Sequence, residues 1–243
     1  EKAGEIVYEK DVYLTDTGGF KYAIEMYQGE SWIGNPSNGY HGVGNKARLC
    51  FTNDSNPMKV FLMKFPKNES HIRNVKETIR SLFNIGNHSV HINDTHEETI
   101  RLAKLILNKN SIDYLNNSKL QYYQSLEEQL FYFKNFILQN NLNIDDYCIT
   151  ASSILSIYGL RQSNDLDYLH RGSLIEGHNM IHSHNEYSHG RYDKSIDDII
   201  YNPKNHFYYN GIKFASLNVI KFLKEQRNES KDIIDVKLIN TVL

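Results

Sequence analysis

Cysteine is scarce in this sequence. Only two are present, Cys50 and Cys148, and they lie far apart within apolar surroundings. Cysteines in such positions are more often buried free thiols than partners in a disulfide. The low cysteine content therefore argues against a disulfide-stapled secreted scaffold and favours a cytoplasmic location.

Long apolar runs and an excess of basic residues are also missing. No run approaches the about 18 residues of a membrane-spanning helix, so we expect no membrane span. The 243 residues carry 27 Lys and Arg against 29 Asp and Glu, which gives a formal net charge of −2. A broad electrostatic surface for nucleic acid is therefore not expected, although a local basic patch is compatible with this balance.

The most informative pattern lies in residues 147–170. An apolar run ending at Ile149 leads into small hydroxyl residues, among them Ser152 and Ser153, and a helical segment then ends at Gly159. Free backbone N–H groups at the start of that helix, together with the positive end of its dipole, suit a phosphate. The pattern predicts Ser152 and Ser153 as phosphate-binding residues.

After a polar turn comes Asp165-Leu166-Asp167, at the start of a strand-like run. Successive side chains of a strand point to opposite faces, so both aspartates are expected on one face, with Leu166 toward the core. Two carboxylates on one face repel each other unless a cation lies between them, and Mg²⁺ is typically held by one or two carboxylates plus substrate phosphates. We therefore predict Asp165 and Asp167 as catalytic residues and as ligands for Mg²⁺ or Mn²⁺.

This order of strand, serine pair, helix and Asp-x-Asp strand resembles the nucleotidyltransferase superfamily, which has the DNA polymerase β-like fold. In that superfamily a Gly-Ser pair precedes Asp-x-Asp, whereas here the pair reads Ser152-Ser153. Gly159-Leu160-Arg161 is similar to the bacterial, abortive-infection-type branch. The resemblance covers residues 145–243, and it implies that Arg161 binds phosphate.

The resemblance also implies the fold class. We expect an α+β protein, with a C-terminal mixed sheet of nucleotidyltransferase type that is flanked by helices and packed on an α+β N-terminal region. The polar segment from Asn140 to Asn143 is the predicted boundary. Residues 1–140 then form the N-terminal region, a candidate for acceptor binding, and residues 141–243 form the nucleotidyltransferase-like domain.

The last part of the chain extends the resemblance. A strand candidate, His206 to Ala215, is followed by a helix that Ser216 caps and then by a Lys-Asp-x-x-Asp sequence from residue 231. This order is similar to the C-terminal helices of the same branch. It implies that Lys221 or Lys224 faces the phosphates, and Lys221 is our predicted phosphate-binding residue. The alternative is a solvated face with charged pairs at i and i+4.

The first 65 residues read as short strands and turns. Asp16 to Gly19 predicts a turn and Phe20 to Tyr27 a strand. The glycine-rich segment from Gly34 to Ala47 predicts a flexible loop that closes over a ligand with Trp32 and Tyr40.

Capping boxes mark the start of two later helices. Thr95 is followed three residues later by Glu98, and Ser125 by Glu128, so side chains can bond to backbone N–H groups at both helix starts. Apolar residues at helical spacing follow each box, which predicts two amphipathic helices.

Two groups of histidines are candidates for zinc binding or for polar contacts with a substrate. They are His88, His91 and His96 with Asp94, and His178, His182, His184 and His189. The superfamily also places a third carboxylate on a later strand, but the strand candidate from His206 contains no acid. The alternatives for that role are Glu176, Asp197 and Asp198.

Together these residues favour a metal-dependent transferase that uses a nucleoside triphosphate or a nucleotide-sugar donor. The aromatic, Asn and His residues of the N-terminal region suit a polar, carbohydrate-like acceptor, which favours the synthesis of surface glycans or polysaccharides. Two alternatives stay open: a glycosyltransferase in which Asp-x-Asp chelates the diphosphate of a sugar nucleotide, and a catalytically inactive nucleotide-binding module. A toxin-like enzyme that modifies tRNA is a further alternative, but the acidic balance speaks against nucleic acid as a partner.

Overall fold

A computed structural model describes residues 4–51, 57–65 and 69–243. Over these residues the α+β class is confirmed, because helices accompany a two-stranded sheet and a mixed five-stranded sheet. Contacts divide the chain into two compact units. The N-terminal unit contains Glu1–Asn35 and Tyr40–Ala103, and the C-terminal unit contains Pro36–Gly39 and Lys104–Leu243.

The division falls at residue 103, whereas the sequence predicted a boundary after residue 140. The helices between these two positions group with the five-stranded sheet because their side chains pack on it. Tyr114, on one of these helices, stacks on Phe207 of the sheet with ring centroids 4.8 Å apart.

The N-terminal unit pairs a strand ribbon with helices. Its elements are β1 (Glu5–Val12), α1 (Asp16–Met26), α2 (His41–Cys50), β2 (Met58–Lys64), α3 (Glu69–Phe83) and α4 (His96–Ile106), the last of which ends in the C-terminal unit. Strands β1 and β2 are antiparallel. A small core lies where α1 and α2 pack together, and it consists of Ala23, Ile24, Ile33, Val43 and Ala47. The start of α4 is as predicted, because Thr95 Oγ1 accepts a hydrogen bond from the Glu98 N–H at 3.1 Å.

Helix α1 occupies the residues for which the sequence predicted a turn and a strand, so that prediction was wrong. Thr15 begins the helix, and its Oγ1 accepts a hydrogen bond from the Gly18 N–H at 3.0 Å. A Cβ at Gly19 would lie 2.7 Å from the Cβ of Phe51, so glycine is needed there for close packing. The glycines that suggested a turn mark a helix-packing contact instead.

The predicted flexible loop is wrong from His41 onward, where α2 begins. A Cβ at Gly42 would clash with the carbonyl oxygen of Trp32. Glycine at this position therefore allows the backbone of the Trp32 segment to approach the helix, and it does not signal an irregular chain.

The C-terminal unit is built on the five-stranded sheet. Its strands are β3 (Tyr147–Thr150), β4 (Leu166–His170), β5 (Ile181–Ser183), β6 (His206–Tyr209) and β7 (Ile212–Ala215). Its further helices are α5 (Lys109–Asn117), α6 (Gln124–Gln139), α7 (Ser153–Ile157), α8 (Ile196–Tyr201), α9 (Leu217–Arg227) and α10 (Ser230–Ile239). Helices α5 to α8 pack against the strands.

The sheet has the order β5-β4-β3-β7-β6 and mixes both kinds of pairing. Strands β3 and β7 are parallel, as are β4 and β5, whereas β3 pairs with β4 and β6 with β7 in antiparallel fashion. All residues of β3 and β7 are buried, which suits central strands covered on both faces. The sheet centre therefore joins two segments that are distant in sequence, with Ile149 opposite Phe214.

The single strand predicted for residues 206–215 is in fact the hairpin β6-β7. Asn210 and Gly211 form its turn with φ values of 53° and 73°. An Asn-Gly pair with positive φ at both positions is typical of a two-residue hairpin turn. The Asn-Gly turn therefore divides the apolar run into two antiparallel strands.

Both cysteines are free thiols, as predicted, and Cys148 is buried. None of the helices in the described ranges has both the length and the apolar character that crossing a membrane requires.

Candidate functional site

The site lies where β3 ends and β4 begins. The antiparallel register places Thr150, the last residue of β3, opposite Asp167 of β4. The parallel register of the next pair places Asp167 beside His182 of β5. Three polar side chains therefore occupy neighbouring strands at one edge, and Asp165 lies at the entrance of β4.

The two predicted carboxylates, Asp165 and Asp167, are both half-buried at this edge. Burial, and then the negative charge of Asp165, raise the pKa of the Asp167 carboxyl to about 6. The basic side chains of His182, Lys224 and Arg227 oppose that rise without cancelling it. The structure thus brings the predicted pair together and surrounds it with basic side chains.

The turn after β3 carries the predicted serine pair. Ala151 adopts a left-handed conformation with φ of 54°, and Ser152 precedes the short helix α7. Ser152 Oγ accepts hydrogen bonds from Lys224 Nζ and Arg161 Nη2, each at 3.2 Å. Ser152 and Arg161, both predicted to bind phosphate, are therefore in direct contact.

Ser153 has a different role from its neighbour. It is fully buried, and its Oγ donates a hydrogen bond to the backbone carbonyl of Asp165 at 3.0 Å. This bond ties the turn after β3 to the entrance of β4. Ser153 thus positions the carboxylate segment, and its hydroxyl already has a protein partner.

A buried network of charges lies beneath the serine turn. Lys224 Nζ contacts Asp235 Oδ2 at 2.7 Å and Asp232 Oδ1 at 3.2 Å, and all three side chains are essentially inaccessible to solvent. Arg161 makes two hydrogen bonds to Asp235, at 2.5 and 2.7 Å, and Arg227 makes two to Asp232, at 2.7 and 2.6 Å. Arg227 also lies 3.6 Å from Glu229, so the three cations share three carboxylates.

The carboxylates of this network are firmly ionised. Burial alone would raise the pKa of Asp232, but the hydrogen bonds from Arg227 and the charge of Lys224 outweigh burial and lower it to about 2. The pKa of Asp235 is also lowered, because the bonds from Arg161 and Lys224 outweigh its burial. The sequence motif from residue 231 contains both aspartates, although we assigned them no role from the sequence.

The structure places Lys224 at the site, whereas our prediction chose Lys221. Lys221 is partly exposed and pairs with Glu225 on its own helix at 4.0 Å, an i and i+4 contact. Lys224 reaches Ser152 from the buried face of α9. Lys221 is therefore placed as the solvated charged face that we gave as the alternative.

Two residues of the irregular segment join the site through hydrogen bonds. Tyr192 Oη lies 2.8 Å from Thr150 Oγ1 and 3.1 Å from His184 Nδ1, and all three side chains are buried. Burial, and then the charges of Arg227 and Arg191, lower the pKa of His184 to about 4, so its imidazole is neutral at pH 7. Nothing in the sequence around Tyr192 marks it as part of a site.

The donor set at the strand edge fits a hard cation that a substrate helps to hold. Asp165 and Asp167 supply two carboxylates, and burial, then the charge of Asp165, raises the pKa of Asp167, so a bound cation would offset both effects. Within the described ranges, no group of three or more His, Cys, Asp or Glu side chains is arranged to hold a metal ion. Ligands beyond the two carboxylates would therefore come from substrate oxygens or water.

Two of the three candidates for a third carboxylate, Asp197 and Asp198, have other partners. Asp197 pairs with Arg171 at 2.5 Å, and Asp198 accepts hydrogen bonds from Asn202 and Asn205. The histidine groups suggested for zinc likewise do not assemble a metal site among the described residues. In the N-terminal unit, for example, His91 Nε2 contacts Glu98 at 3.0 Å.

The left-handed turn at Ala151 gives a stability prediction. A left-handed backbone costs an L-residue about 1–2 kcal/mol, and glycine avoids that cost. Ala151→Gly is therefore expected to lose about 1–2 kcal/mol less than Ala215→Gly, since both alanines are buried but only Ala151 has positive φ. Urea unfolding of both variants measures the difference, and equal losses would show that the turn is not strained.

Comparisons of the chain with protein-family models, with curated proteins and with solved structures found no match. The geometry of the site is therefore the basis for its functional interpretation.

Proposed function

We propose that this protein is a metal-dependent transferase of the nucleotidyltransferase type, which uses a nucleoside triphosphate or a nucleotide-sugar donor. One observation carries the proposal. Asp165 and Asp167 lie half-buried at a strand edge, and the charges of Lys224 and Arg227 from the buried network act on Asp167. Adjacent acidic and basic groups of this kind suit a metal-bound phosphate.

Asp165 and Asp167 would hold Mg²⁺ or Mn²⁺ together with oxygens of the donor phosphates. Such an ion supplies stabilisation of the negative charge that develops on phosphate oxygens during displacement. The raised pKa of Asp167 supports this assignment, because a bound cation would favour its ionised form.

The basic residues differ in how far their side chains are exposed to solvent, and we assign their roles accordingly. Lys224 is fully buried, so it acts on a ligand only through its field and through the groups that it holds in place. The side chains of Arg161 and Arg227 remain 31% and 19% exposed, so their guanidinium groups can reach a bound phosphate. Asp232 and Asp235 fix the orientation of both arginines, which lowers the entropy cost of binding.

For the acceptor we propose a polar molecule of carbohydrate type, in keeping with a role in glycan or polysaccharide synthesis. We propose His184 as the residue that takes a proton from the acceptor. Its ring is neutral at pH 7, and Tyr192 orients it through the bond to Nδ1.

The first test is a melting-temperature panel of nucleoside triphosphates and nucleotide sugars, each with Mg²⁺, with Mn²⁺ and with EDTA. A ligand at about 100 times its Kd adds about 2.7 kcal/mol, so we expect a rise of about 5–10 °C that requires the metal. The best ligand is then incubated with the protein, and the products are analysed. Release of pyrophosphate indicates nucleotidyl transfer, and release of a nucleoside diphosphate indicates glycosyl transfer.

Two results would contradict the proposal. If no ligand raises the melting temperature with either metal, the strand edge is not a donor site. If a ligand binds but no product forms over a range of acceptors, the inactive nucleotide-binding module is the better interpretation. The lack of a third metal-binding side chain among the described residues favours that module as the second candidate.

A further inference from the structure

Arg191 differs from the other arginines of the C-terminal unit, because no carboxylate among the described residues pairs with it. The other three each form an ion pair with an aspartate: Arg161 with Asp235, Arg171 with Asp197 and Arg227 with Asp232. Arg191 is exposed, and its guanidinium group instead faces the ring of Tyr187, with Cζ 5.6 Å from the ring centroid. The N–H donors of Arg191 are therefore available to an anionic ligand.

The segment that contains Arg191 is attached to the candidate site at both ends. It begins at His184 and ends at Tyr192; both side chains are buried, and Tyr192 Oη lies 3.1 Å from His184 Nδ1. The side chain of Asn185 bonds both the N–H and the carbonyl of His170, the last residue of β4, at 3.0 and 2.9 Å. The residues between these attachments are therefore held beside the site.

Within this segment an aromatic ring connects Arg191 to His184. The rings of His184 and Tyr187 stack with centroids 5.3 Å apart and an interplanar angle of 29°, and Tyr187 also contacts the Arg191 guanidinium group. A cation over an aromatic face is attracted by the charge distribution of the ring. Tyr187, which is 55% exposed, thus positions the guanidinium group near the imidazole on the acceptor side of the proposed reaction.

The charges around His184 include that of Arg191. Burial lowers the pKa of His184 most. The charges of Arg227 and Arg191 lower it further, and that of Asp165 opposes them. Asp193, the acid two residues after Arg191, pairs with a lysine at 3.0 Å instead. The charge of Arg191 therefore reaches the imidazole and is left for a substrate.

The chemistry of a guanidinium group limits what Arg191 can recognise. Its N–H donors match two oxygens of a carboxylate or a phosphate at once. On a carbohydrate, these are the two common anionic groups. A positively charged acceptor, such as an amino sugar, would be repelled, and a neutral sugar would gain little from the charge.

We propose that Arg191, positioned by Tyr187, binds the phosphate or carboxylate group of an anionic carbohydrate that serves as the acceptor. The inference rests on the proposed function, because it names the class of acceptor for that reaction. A hydroxyl group of the same molecule is then directed toward His184.

The test measures binding to the full chain by calorimetry, without nucleotide or metal. The probes are D-glucose 6-phosphate, D-glucuronate, D-glucose and D-glucosamine, which carry a phosphate, a carboxylate, no charge and a positive charge. At least one anionic sugar is expected to bind, about tenfold more tightly than the neutral and the cationic sugar. The stronger of the two anionic probes shows which group the site takes.

Substitutions connect this binding to Arg191. Arg191→Gln is expected to weaken it about tenfold, because hydrogen bonds to a charged group are lost. Arg191→Lys should restore only part of the affinity, because an ammonium group lacks the paired donors. Tyr187→Ala should weaken binding about threefold, because it removes the ring that positions the guanidinium group.

Arg171→Gln is the matched control. It removes another exposed arginine of the same unit, one that already pairs with Asp197, so it should leave sugar binding unchanged. Since Arg191 is exposed and has no ion pair to lose, Arg191→Gln should melt within about 2 °C of the wild type. A loss of binding in that variant then reports on the ligand and not on the fold.

Failure of this inference can be told apart from failure of the proposed function. If a donor gives the metal-dependent rise in melting temperature but neither anionic sugar binds, or Arg191→Gln binds normally, the inference is wrong and the transferase stands. If Arg191→Gln abolishes the rise with a donor but leaves sugar binding intact, Arg191 belongs to the donor site. Inorganic phosphate that binds as tightly as glucose 6-phosphate would also overturn recognition of a carbohydrate. If anionic sugars bind through Arg191 and no donor binds, the anion site stands and the transfer reaction is wrong.

Discussion

Asp167→Asn is expected to stabilise the folded protein at pH 7 and above, by up to about 3 kcal/mol. The pKa of Asp167 is raised from 3.8 to about 6 in the folded state, and each unit corresponds to about 1.4 kcal/mol. A carboxyl with a raised folded-state pKa costs stability as the pH rises above its unfolded-state value, and the full cost is reached above its folded-state value. Replacing it with the neutral amide removes that cost.

The pH dependence gives the sign of the effect. Well below the unfolded-state pKa of 3.8, the carboxyl is protonated in both the folded and the unfolded state, so the variant and the wild type should differ little there. As the pH rises from 4 through 6 the wild type loses stability relative to the variant, and above pH 7 the difference is constant. Urea unfolding at pH 4, 5.5 and 7.5 measures this curve.

Asp197→Asn is the control for this variant. Asp197 is exposed, and its pKa is lowered by the hydrogen bond from Arg171, so its replacement should weaken the fold slightly or not at all. The interpretation would be wrong if Asp167→Asn lowered stability at pH 7.5, because the carboxylate would then be a structural anchor.

The same substitution should also remove donor binding. The metal-dependent rise in melting temperature, about 5–10 °C for the wild type near saturation, should vanish in Asp167→Asn. A variant that gains stability and loses its ligand identifies a residue kept for function at the expense of the fold. Retention of the full metal-dependent rise would remove Asp167 from the proposed site.

Lys224→Met is expected to have the opposite effect on stability and to destabilise the protein by about 3–5 kcal/mol. The substitution leaves Asp232 and Asp235 buried with one cation fewer, and removing one partner of a buried ion pair costs this much. The melting temperature should fall by about 6–20 °C. In this variant Arg161 and Arg227 should also be held less firmly, because Asp232 and Asp235, which orient them, lose their shared partner.

Lys221→Met is the matched control for Lys224→Met. Both lysines lie on α9, but Lys221 is partly exposed and pairs only weakly, with Glu225 at 4.0 Å. Its replacement should change the free energy of unfolding by less than about 0.5 kcal/mol. Equal effects of the two substitutions would contradict the assignment of the buried network.

The segment around the aspartates was predictable because its signals are local. The apolar run of β3, the end of α7 before Gly159 and the Asp-x-Asp strand all follow from patterns within a few residues. Strand geometry alone predicts one face for Asp165 and Asp167, and in the structure β4 begins at Leu166, directly after Asp165. In these elements, residues that are close in the sequence are also close in space.

The parts that could not be predicted depend on distant contacts. Gly19 suggested a turn because the approach of Phe51, many residues later, is invisible in the local sequence. Choosing between Lys221 and Lys224 requires the buried face of α9, and that face is set by its partner carboxylates on α10. Tyr192 joins the site through a hydrogen bond with Thr150, which lies in β3, far from Tyr192 in the sequence.

The central pairing of the sheet has a consequence for shortened versions of the chain and for its synthesis. Strand β3 ends at the candidate site. It pairs with β4 on one side and, on the other, with β7, which begins at Ile212. A fragment that ends before this residue retains β4 and β5 and leaves unpaired one backbone edge of a strand that is fully buried in the whole protein. Such an edge is a template for aggregation. The nascent chain carries the same open edge until β7 has left the ribosome.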